Sequence, residues 1–269
     1  METRTQGGAI PGSAWVYIHA RTVARLWPRV KRPVRDYSRA VDRALRRAIE
    51  PRQSFSILQV GAYDGISNDP VYELIRAYPQ VRAVLLEPQP GPHAVLEARW
   101  QDCPRVIPLR CALADACGQR PLYVIADDYK SQHPFADQVA SFSRSHVERA
   151  CSRYIWRPSR HCVASVSVPT VDWRTLVDEH GPFDFVAIDA EGYDGNIIHQ
   201  MDLGKAPPDF IRYEHYLLSR DMRRRAVCTL ERAGYVVRQA NKADSLAIGP
   251  GLVRDDNEKV LWDSDAGAP

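Results

Sequence analysis

The run Ile57-Leu-Gln-Val-Gly-Ala-Tyr-Asp-Gly65 constrains this chain more than any other segment. A short, largely apolar stretch leads straight into a loop bounded by two glycines. Glycine lets a backbone turn tightly and approach a ligand closely. A strand followed by such a loop is how a doubly wound α/β sheet begins, and in these sheets ligands bind beyond the carboxyl ends of the strands, near the switch point.

The rest of the chain repeats the alternation. Ile57–Val60, Ala83–Leu86, Val106–Leu109, Leu122–Ile125, Val163–Val168, Phe183–Ile188 and Phe210–Tyr213 read as strands. Phe183–Ile188 is nearly continuous in apolar residues, as a parallel strand buried on both faces should be. Helices are expected from Asp69-Pro70 to Ala77, over Gly91–Trp100, Trp173–Glu179 and Asn196–Met201, and from Arg220 to Ala233. Tyr235–Arg238 and Ser245–Ile248, joined by the short turn Asn241–Asp244, can form an antiparallel hairpin that closes the sheet. The pattern predicts an α/β fold with a doubly wound sheet. Residues 127–162 are the least regular part, and a long insertion of that kind is often a lid or substrate wall. His133, His146, His161, Tyr129, Phe135, Phe142, Tyr154 and Trp156 make it the expected substrate wall.

The first loop also discriminates between ligands. A nicotinamide-binding loop reads Gly-x-Gly-x-x-Gly and runs directly into a helix that faces the pyrophosphate. Here only Gly61 and Gly65 are present, and the helix waits until Asp69-Pro70. A pyrophosphate needs a tight cradle of amides. An amino acid carried on a sulfonium needs room, backbone contacts and one acceptor for its ammonium, a role that suits Asp64. Glu87 ends the second strand, 22 residues after Gly65, where an acid can accept hydrogen bonds from both ribose hydroxyls. Asp115, after the third strand, is placed to accept from an adenine amino group. The plainer readings are a structural glycine turn, a solvated Glu87 and an exposed Asp115. Together the three features favour S-adenosylmethionine over a dinucleotide.

Catalytic groups should lie at the ends of strands four and five. Asp189 follows Phe-Val-Ala-Ile, Glu191 stands two residues on, and Glu214 and His215 end the fifth strand. Asp189, Glu191 and Glu214 could hold Mg²⁺, a hard ion that prefers oxygen. Alternatively Asp189, Glu214 or His215 acts directly as base. Asp189 as a cap and Glu214 as an arginine partner are the structural alternatives.

The net charge of +3 is too small to imply nucleic acid, but it is unevenly spread. Ten Arg or Lys residues and only two acids lie between Arg21 and Arg47. Trp15, Ile18, Val23, Leu26, Trp27 and Val30, then Val34 to Ile49, recur at near-helical spacing. Residues 1–52 are therefore expected to be a basic helical extension, 53–252 the main domain and 253–269 a tail. Three readings of the extension stand: helices packing on the domain or on a second copy in a homodimer, an anionic surface, or nucleic acid, which the sparse charge and absent motif disfavour. The start of the sequence shows no secretory h-region, and no apolar run is long enough to span a membrane. The six cysteines form no Cys-x-x-Cys pair. A reduced, cytoplasmic protein is expected.

Several ordered motifs resemble the FkbM family of methyltransferases. They are Gln59-Val-Gly-Ala-Tyr-Asp-Gly65 with Asn68-Asp-Pro70, Leu86-Glu-Pro88, Ala112-Leu-Ala-Asp115 with Gly118, and Ala140-Ser-Phe142 before His146-Val. Val168-Pro-Thr-Val-Asp172, Ile188-Asp-Ala-Glu-Gly-Tyr-Asp194, and Tyr213-Glu-His215 with Leu218-Ser219 follow. The resemblance spans roughly residues 55–250 and omits the extension. It implies a Rossmann-like class I methyltransferase fold, with a mostly parallel seven-stranded sheet whose last strand is antiparallel. It also implies S-adenosylmethionine, met by residues within these motifs: Gly61, Ala62, Asp64, Gly65, Asn68, Glu87, Pro88, Ala114, Asp115, Ser141 and Asp189. The family usually methylates a hydroxyl of a small molecule or glycan, in natural-product or glycan biosynthesis. Tyr63 departs from the pattern, which favours a small or polar residue there, often Asn. A nicotinamide-dependent oxidoreductase and a non-catalytic adenosyl-binding protein are the competing readings.

Overall fold

Phe55–Val60 is buried along its whole length, which marks it as a central strand. The computed structural model describes residues 38–252 apart from 68, 134 and 157–160. The expectations for residues 1–37, Trp15 and Trp27 included, for Asn68 and for the tail 253–269 lie outside the described residues. The helices are α1 (Ser38–Ile49), α2 (Tyr72–Ala77), α3 (Pro90–Trp100), α4 (Asp127–Lys130), α5 (Arg144–Tyr154), α6 (Trp173–His180), α7 (Asp194–Gln200) and α8 (Arg220–Arg232). The strands are β1 (Phe55–Val60), β2 (Val81–Leu86), β3 (Val106–Leu109), β4 (Ala112–Leu113), β5 (Gly118–Ile125) and β6 (Ala140–Ser141), then β7 (Val163–Val171), β8 (Phe185–Ile188), β9 (Phe210–Glu214), β10 (Val236–Gln239) and β11 (Asp244–Ile248).

Among the described residues, seven strands form one sheet in the order β10-β11-β9-β8-β1-β2-β3. β11 runs antiparallel to both β9 and β10, while β1, β2, β3, β8 and β9 are parallel. The direction of winding reverses between β1 and β8, where Val60 pairs with Ile188.

Alternate side chains of the parallel strands enter opposite layers. Phe55, Ile57, Ala83, Leu85, Phe185 and Phe210 pack with Val41, Leu45 and Ile49 of α1, Leu74 of α2 and Leu96 of α3. Leu58, Val60, Leu86, Val186, Ile188 and Ile211 pack with Leu176 of α6, Ile197 of α7 and Leu230 of α8. Each Leu or Ile so buried contributes roughly 1.5–3 kcal/mol. Three helices start on side-chain caps: Asp172 accepts from the Thr175 N–H, Ser143 from His146 and Ser219 from Met222. Such caps are worth about 1 kcal/mol each.

The segment after β3 is more ordered than its sequence suggests. β4, β7, β5 and β6 form a second sheet, in which β5 and β7 pair antiparallel from Gly118–Thr170 to Ile125–Val163. Residues 127–162, expected to be the least regular part, carry α4, β6 and α5. Val147, Ala150 and Cys151 of α5 join Ile125, Ala136, Ile155 and Cys162 in a separate apolar cluster. The helix was hard to see because its apolar stripe is only these three small or medium residues wide. Arg and Ser occupy its other faces. No helix among the described residues is long and apolar enough to cross a membrane. None of the six cysteines forms a disulfide.

Candidate active site

The loops at the carboxyl ends of β1, β2, β3 and β8 open on one cleft at the β1–β8 reversal, with Arg212 of β9 beside them. The cleft opens widely to the surface, with about 1150 Å³ of space between its walls and across its mouth. The first loop turns where the Gly61 and Ala62 N–H groups both donate to the Leu86 carbonyl, at 3.0 and 2.9 Å. Gly61 and Gly65 have φ of 80° and 70°, in the left-handed region that glycine enters without a Cβ penalty. Gly61, Ala62, Glu87, Pro88, Ser141 and Asp189 line the cleft, so six of the expected cofactor residues converge.

Glu87 is 4% exposed. Its Oε2 accepts the Tyr63 N–H at 2.9 Å and its Oε1 accepts the Gln89 N–H at 2.8 Å. Burial pushes its carboxyl up to about 7, against the pull of those two donors. The carboxylate still has acceptor capacity for a further donor.

Four expected cofactor residues stand elsewhere, and each placement has a local cause. Asp64 turns back on its own loop, with Oδ1 accepting from the Ile66 and Ser67 N–H groups and Oδ2 from the Ser67 hydroxyl. Burial would raise its carboxyl, but the Ser67 and Ile66 donors outweigh burial and hold it below the usual range. Gly65 is a packing residue, because a Cβ there would stand 2.6 Å from Leu96 Cδ1 and 3.1 Å from Trp100 Nε1. Ala114 is fully buried and bonds to the Val171 carbonyl, leaving Ala112 and Leu113 on the cleft wall. Asp115 is exposed and pairs with Arg120 at 2.6 Å.

Asp69 was expected only as a helix cap. Instead α2 starts at Tyr72 with Val71 as its N-cap, and Asp69 Oδ1 holds the preceding turn by accepting from the Val71 and Tyr72 N–H groups. Asp69 also lines the cleft, and its Oδ2 is buried without a hydrogen-bond partner. Burial raises its carboxyl, and those two N–H groups oppose the rise. Gln59, 4% exposed, brings a second unpartnered acceptor, Oε1, to the same wall. The sequence signal for Asp69 was the delayed helix start itself.

Asp189 leaves β8 with its side chain open to the cleft yet deep among protein atoms. Its carboxyl is pushed up to about 7, by burial first, then by the charges of Glu191 and Asp244. Glu191 adopts φ 47°, an uncommon conformation for a residue with a Cβ. The Ser141 hydroxyl donates to its carbonyl and His146 Nε2 lies 2.9 Å from its Oε2. His146, one of the wall histidines, thus reaches the site through Glu191. Phe142 and Tyr193 also line the cleft, edge to face at 5.0 Å. His133 instead stacks between Phe135 and Tyr154, and Trp156 is 79% exposed.

Three groups escaped the sequence reading. Arg212 and Asp244 both line the cleft and form an ion pair at 2.7 Å. Fully buried Asp194 ties two strand ends together, accepting from the Glu214 N–H at 3.0 Å and the Ala190 N–H at 3.3 Å. None could be found from spacing, because each is paired across strands far apart in sequence.

Glu214 and His215 do not line the cleft. Glu214 is half-buried, close enough to Asp189 and Glu191 to feel their charge, and its carboxyl is driven up to about 10, chiefly by desolvation. His215 packs under β11, with Nδ1 3.0 Å from the Ser245 hydroxyl, and burial lowers its pKa. Among the described residues no group of three His, Cys, Asp or Glu side chains is arranged to hold a metal. Glu191 is engaged by His146 and Glu214 stands off the cleft wall. The donors do not fit Mg²⁺, which demands near-ideal octahedral oxygen coordination.

A seven-stranded sheet with one antiparallel strand, and a cleft at its reversal built by a glycine turn and a strand-end acid, defines the Rossmann-like class I methyltransferase fold. Residues 59–237 match the methyltransferase FkbM domain. The chain belongs to the FkbM family of methyltransferases.

Solved structures are similar in fold. The methyltransferase FkbM from Methylobacillus flagellatus KT is 13% identical, with a TM-score of 0.44, over 73% of this chain and 44% of that one. This chain therefore spans less than half the length of that protein. A methyltransferase from Geobacter sulfurreducens is 11% identical, with a TM-score of 0.39, over 90% of this chain and 92% of that one. The fibrillarin from Aeropyrum pernix, solved with natively bound S-adenosyl-L-methionine, is 10% identical, with a TM-score of 0.37, over 73% and 67% of the two chains. No curated protein matches the sequence.

Proposed function

We propose that the chain is an S-adenosylmethionine-dependent O-methyltransferase acting on a hydroxyl of a small molecule or sugar, in natural-product or glycan biosynthesis. The observation that carries this reading is Asp189, a carboxylate open to the cleft beside the Gly61 loop, with its pKa raised to about 7. On this reading residues 53–252 are the catalytic unit, flanked by the basic extension 1–52 and the tail 253–269.

The cleft offers what this cofactor requires. Glu87 accepts from the ribose hydroxyls. The unpartnered Asp69 Oδ2 and Gln59 Oε1 accept from the ammonium of the amino-acid end, the role expected of Asp64. Pro88 and Leu113 flank the adenine. When bound, S-adenosylmethionine supplies a methyl group on a sulfonium, already a good leaving group.

The protein's remaining task is positioning and deprotonation. An aliphatic hydroxyl has a pKa far above 7, so it must lose its proton as the new bond forms. Asp189 accepts that proton. A base poised near neutrality is present in its ionised form and still binds a proton well. Glu191, held by His146, and the Phe142–Tyr193 edge pair bound the space where the acceptor lies. Acids outnumber Arg212 there, which favours neutral hydroxyl donors over phosphorylated acceptors.

Calorimetry with S-adenosylhomocysteine and with NAD, followed by turnover assays of Asp189→Asn, tests the reading. Binding of the homocysteine compound alone, and loss of turnover at unchanged affinity, are expected. Tight NAD binding with no response to the homocysteine compound sinks it. So does full turnover in the variant. Cofactor binding with no transfer to any acceptor supports instead a non-catalytic adenosyl-binding protein.

A further inference from the structure

Tyr63 sits at φ 47°, in a region where a side chain with a Cβ is strained and where glycine or asparagine is at ease. Such strain persists only where surrounding contacts over-determine it. Those contacts are specific. The Tyr63 N–H donates to Glu87 Oε2 at 2.9 Å, and its hydroxyl donates to Asp137 Oδ2 at 2.5 Å. The Gln89 side chain donates to the Asp137 carbonyl at 3.3 Å, and the Gln89 N–H donates to Glu87 Oε1 at 2.8 Å. The four residues form a closed circuit. Glu87 and Gln89 are 4% and 5% exposed.

Asp137 belongs to the insertion, 74 residues from Tyr63. Its neighbour Gln138 lines the cleft, and the chain then runs through Val139 into β6, where Ser141 meets Glu191. Asparagine at position 63 would relieve the backbone but is too short to reach Asp137.

We propose that Tyr63 is a positioning residue that locks the insertion wall to the Glu87 carboxylate, so that residues 135–139 close the cofactor side of the cleft and slow release of the bound adenosyl compound. This rests on the assignment of Glu87 to the ribose. Among the described residues no other side chain of the first loop bonds to the insertion, so removing one hydroxyl opens the circuit.

The test compares Tyr63→Phe, which keeps the strain and loses the hydroxyl, with Tyr63→Asn, which relieves the strain and loses the reach. Two quantities are read on the full chain: amide hydrogen exchange of residues 135–139 without ligand, and the dissociation rate of S-adenosylhomocysteine. Both variants should exchange faster in that segment and release the compound about tenfold faster, the size expected for one hydrogen bond to a charged group. KM for S-adenosylmethionine should rise with kcat within about twofold. Only the Asn variant should also gain thermal stability. Unchanged exchange and dissociation in Tyr63→Phe overturn the proposal, as does faster exchange with an unchanged dissociation rate. Exchange needs no ligand, so it still reads the lock should the homocysteine compound fail to bind, a result that would overturn the proposed function instead.

Discussion

Gly61 and Asp189 meet backbone to backbone: a Cβ built on Gly61 would stand 2.0 Å from the Asp189 carbonyl oxygen. The contact joins the exit of β1 to the exit of β8, and it forms the floor of the cleft. The Asp189 N–H reaches back to the Val60 carbonyl at 3.0 Å. Neither partner is a movable side-chain tip, so nothing can yield cheaply.

Gly61→Ala should therefore destabilise the fold by at least about 2 kcal/mol, combining a forced backbone shift with a disfavoured φ. Urea denaturation measures it. A soluble variant with the wild-type midpoint would show that the two strand exits are not in contact.

Asp69→Asn separates binding of the amino-acid end from binding of adenosine. Asparagine keeps an oxygen for the Val71 and Tyr72 N–H groups, so the turn leading into α2 is kept. It removes the charge facing the proposed ammonium. Affinity for S-adenosylhomocysteine should fall by about tenfold or more, as for loss of a charge-assisted bond, while affinity for adenosine stays the same. Equal losses for both ligands would place the ammonium elsewhere.

Turnover should depend on the ionised form of Asp189. With its carboxyl at about 7, kcat at saturating substrates should rise with pH through neutrality and level off above. Below about pH 6 it should fall roughly tenfold per unit, the signature of one required base. A flat profile from about pH 5.5 to 8.5 would remove Asp189 from that role.

Stability should run the opposite way. Glu214 holds its proton in the folded protein up to about 10, against 4.5 as its ordinary value. The folded state therefore binds more protons than the unfolded chain across that interval, and stability falls as pH rises through it. Glu87 and Asp189, both raised to about 7, add to the trend. The unliganded protein should melt at a higher temperature near pH 5 than near pH 8, and Glu214→Gln should flatten that slope and melt above wild type near pH 8. A wild-type melting temperature that rises with pH over this range would contradict the raised carboxyls of Glu214, Glu87 and Asp189.

The strands were legible because central parallel strands are apolar on both faces, and Phe185–Ile188 and Phe55–Val60 need no partner to be seen. The hairpin of β10 and β11 was legible from its turn, where Asn241 Oδ1 accepts from the Ala243 and Asp244 N–H groups. The site was read in part. Glu87 and Asp189 follow directly from strand ends, and strand ends fix where a side chain emerges. Asp64 and Asp69 could not be told apart, because both acids can cap nearby N–H groups and only the path of the loop decides which also faces the cleft. β4 and β6 are two residues each, too short for an alternation to register. Asp194 and the Arg212–Asp244 pair depend on register between strands, which no local pattern encodes.

β11 enters the sheet between β9 and β10, and its first residue, Asp244, pairs with Glu214 and grips Arg212. The cleft is thus completed by a segment synthesised long after the Gly61 loop. A nascent chain that has emerged only to about residue 240 has the glycine turn, Glu87 and Asp189, but Arg212 lacks its partner and β9 has a bare edge. The Arg212–Asp244 side of the cleft and the finished edge of the sheet therefore form together.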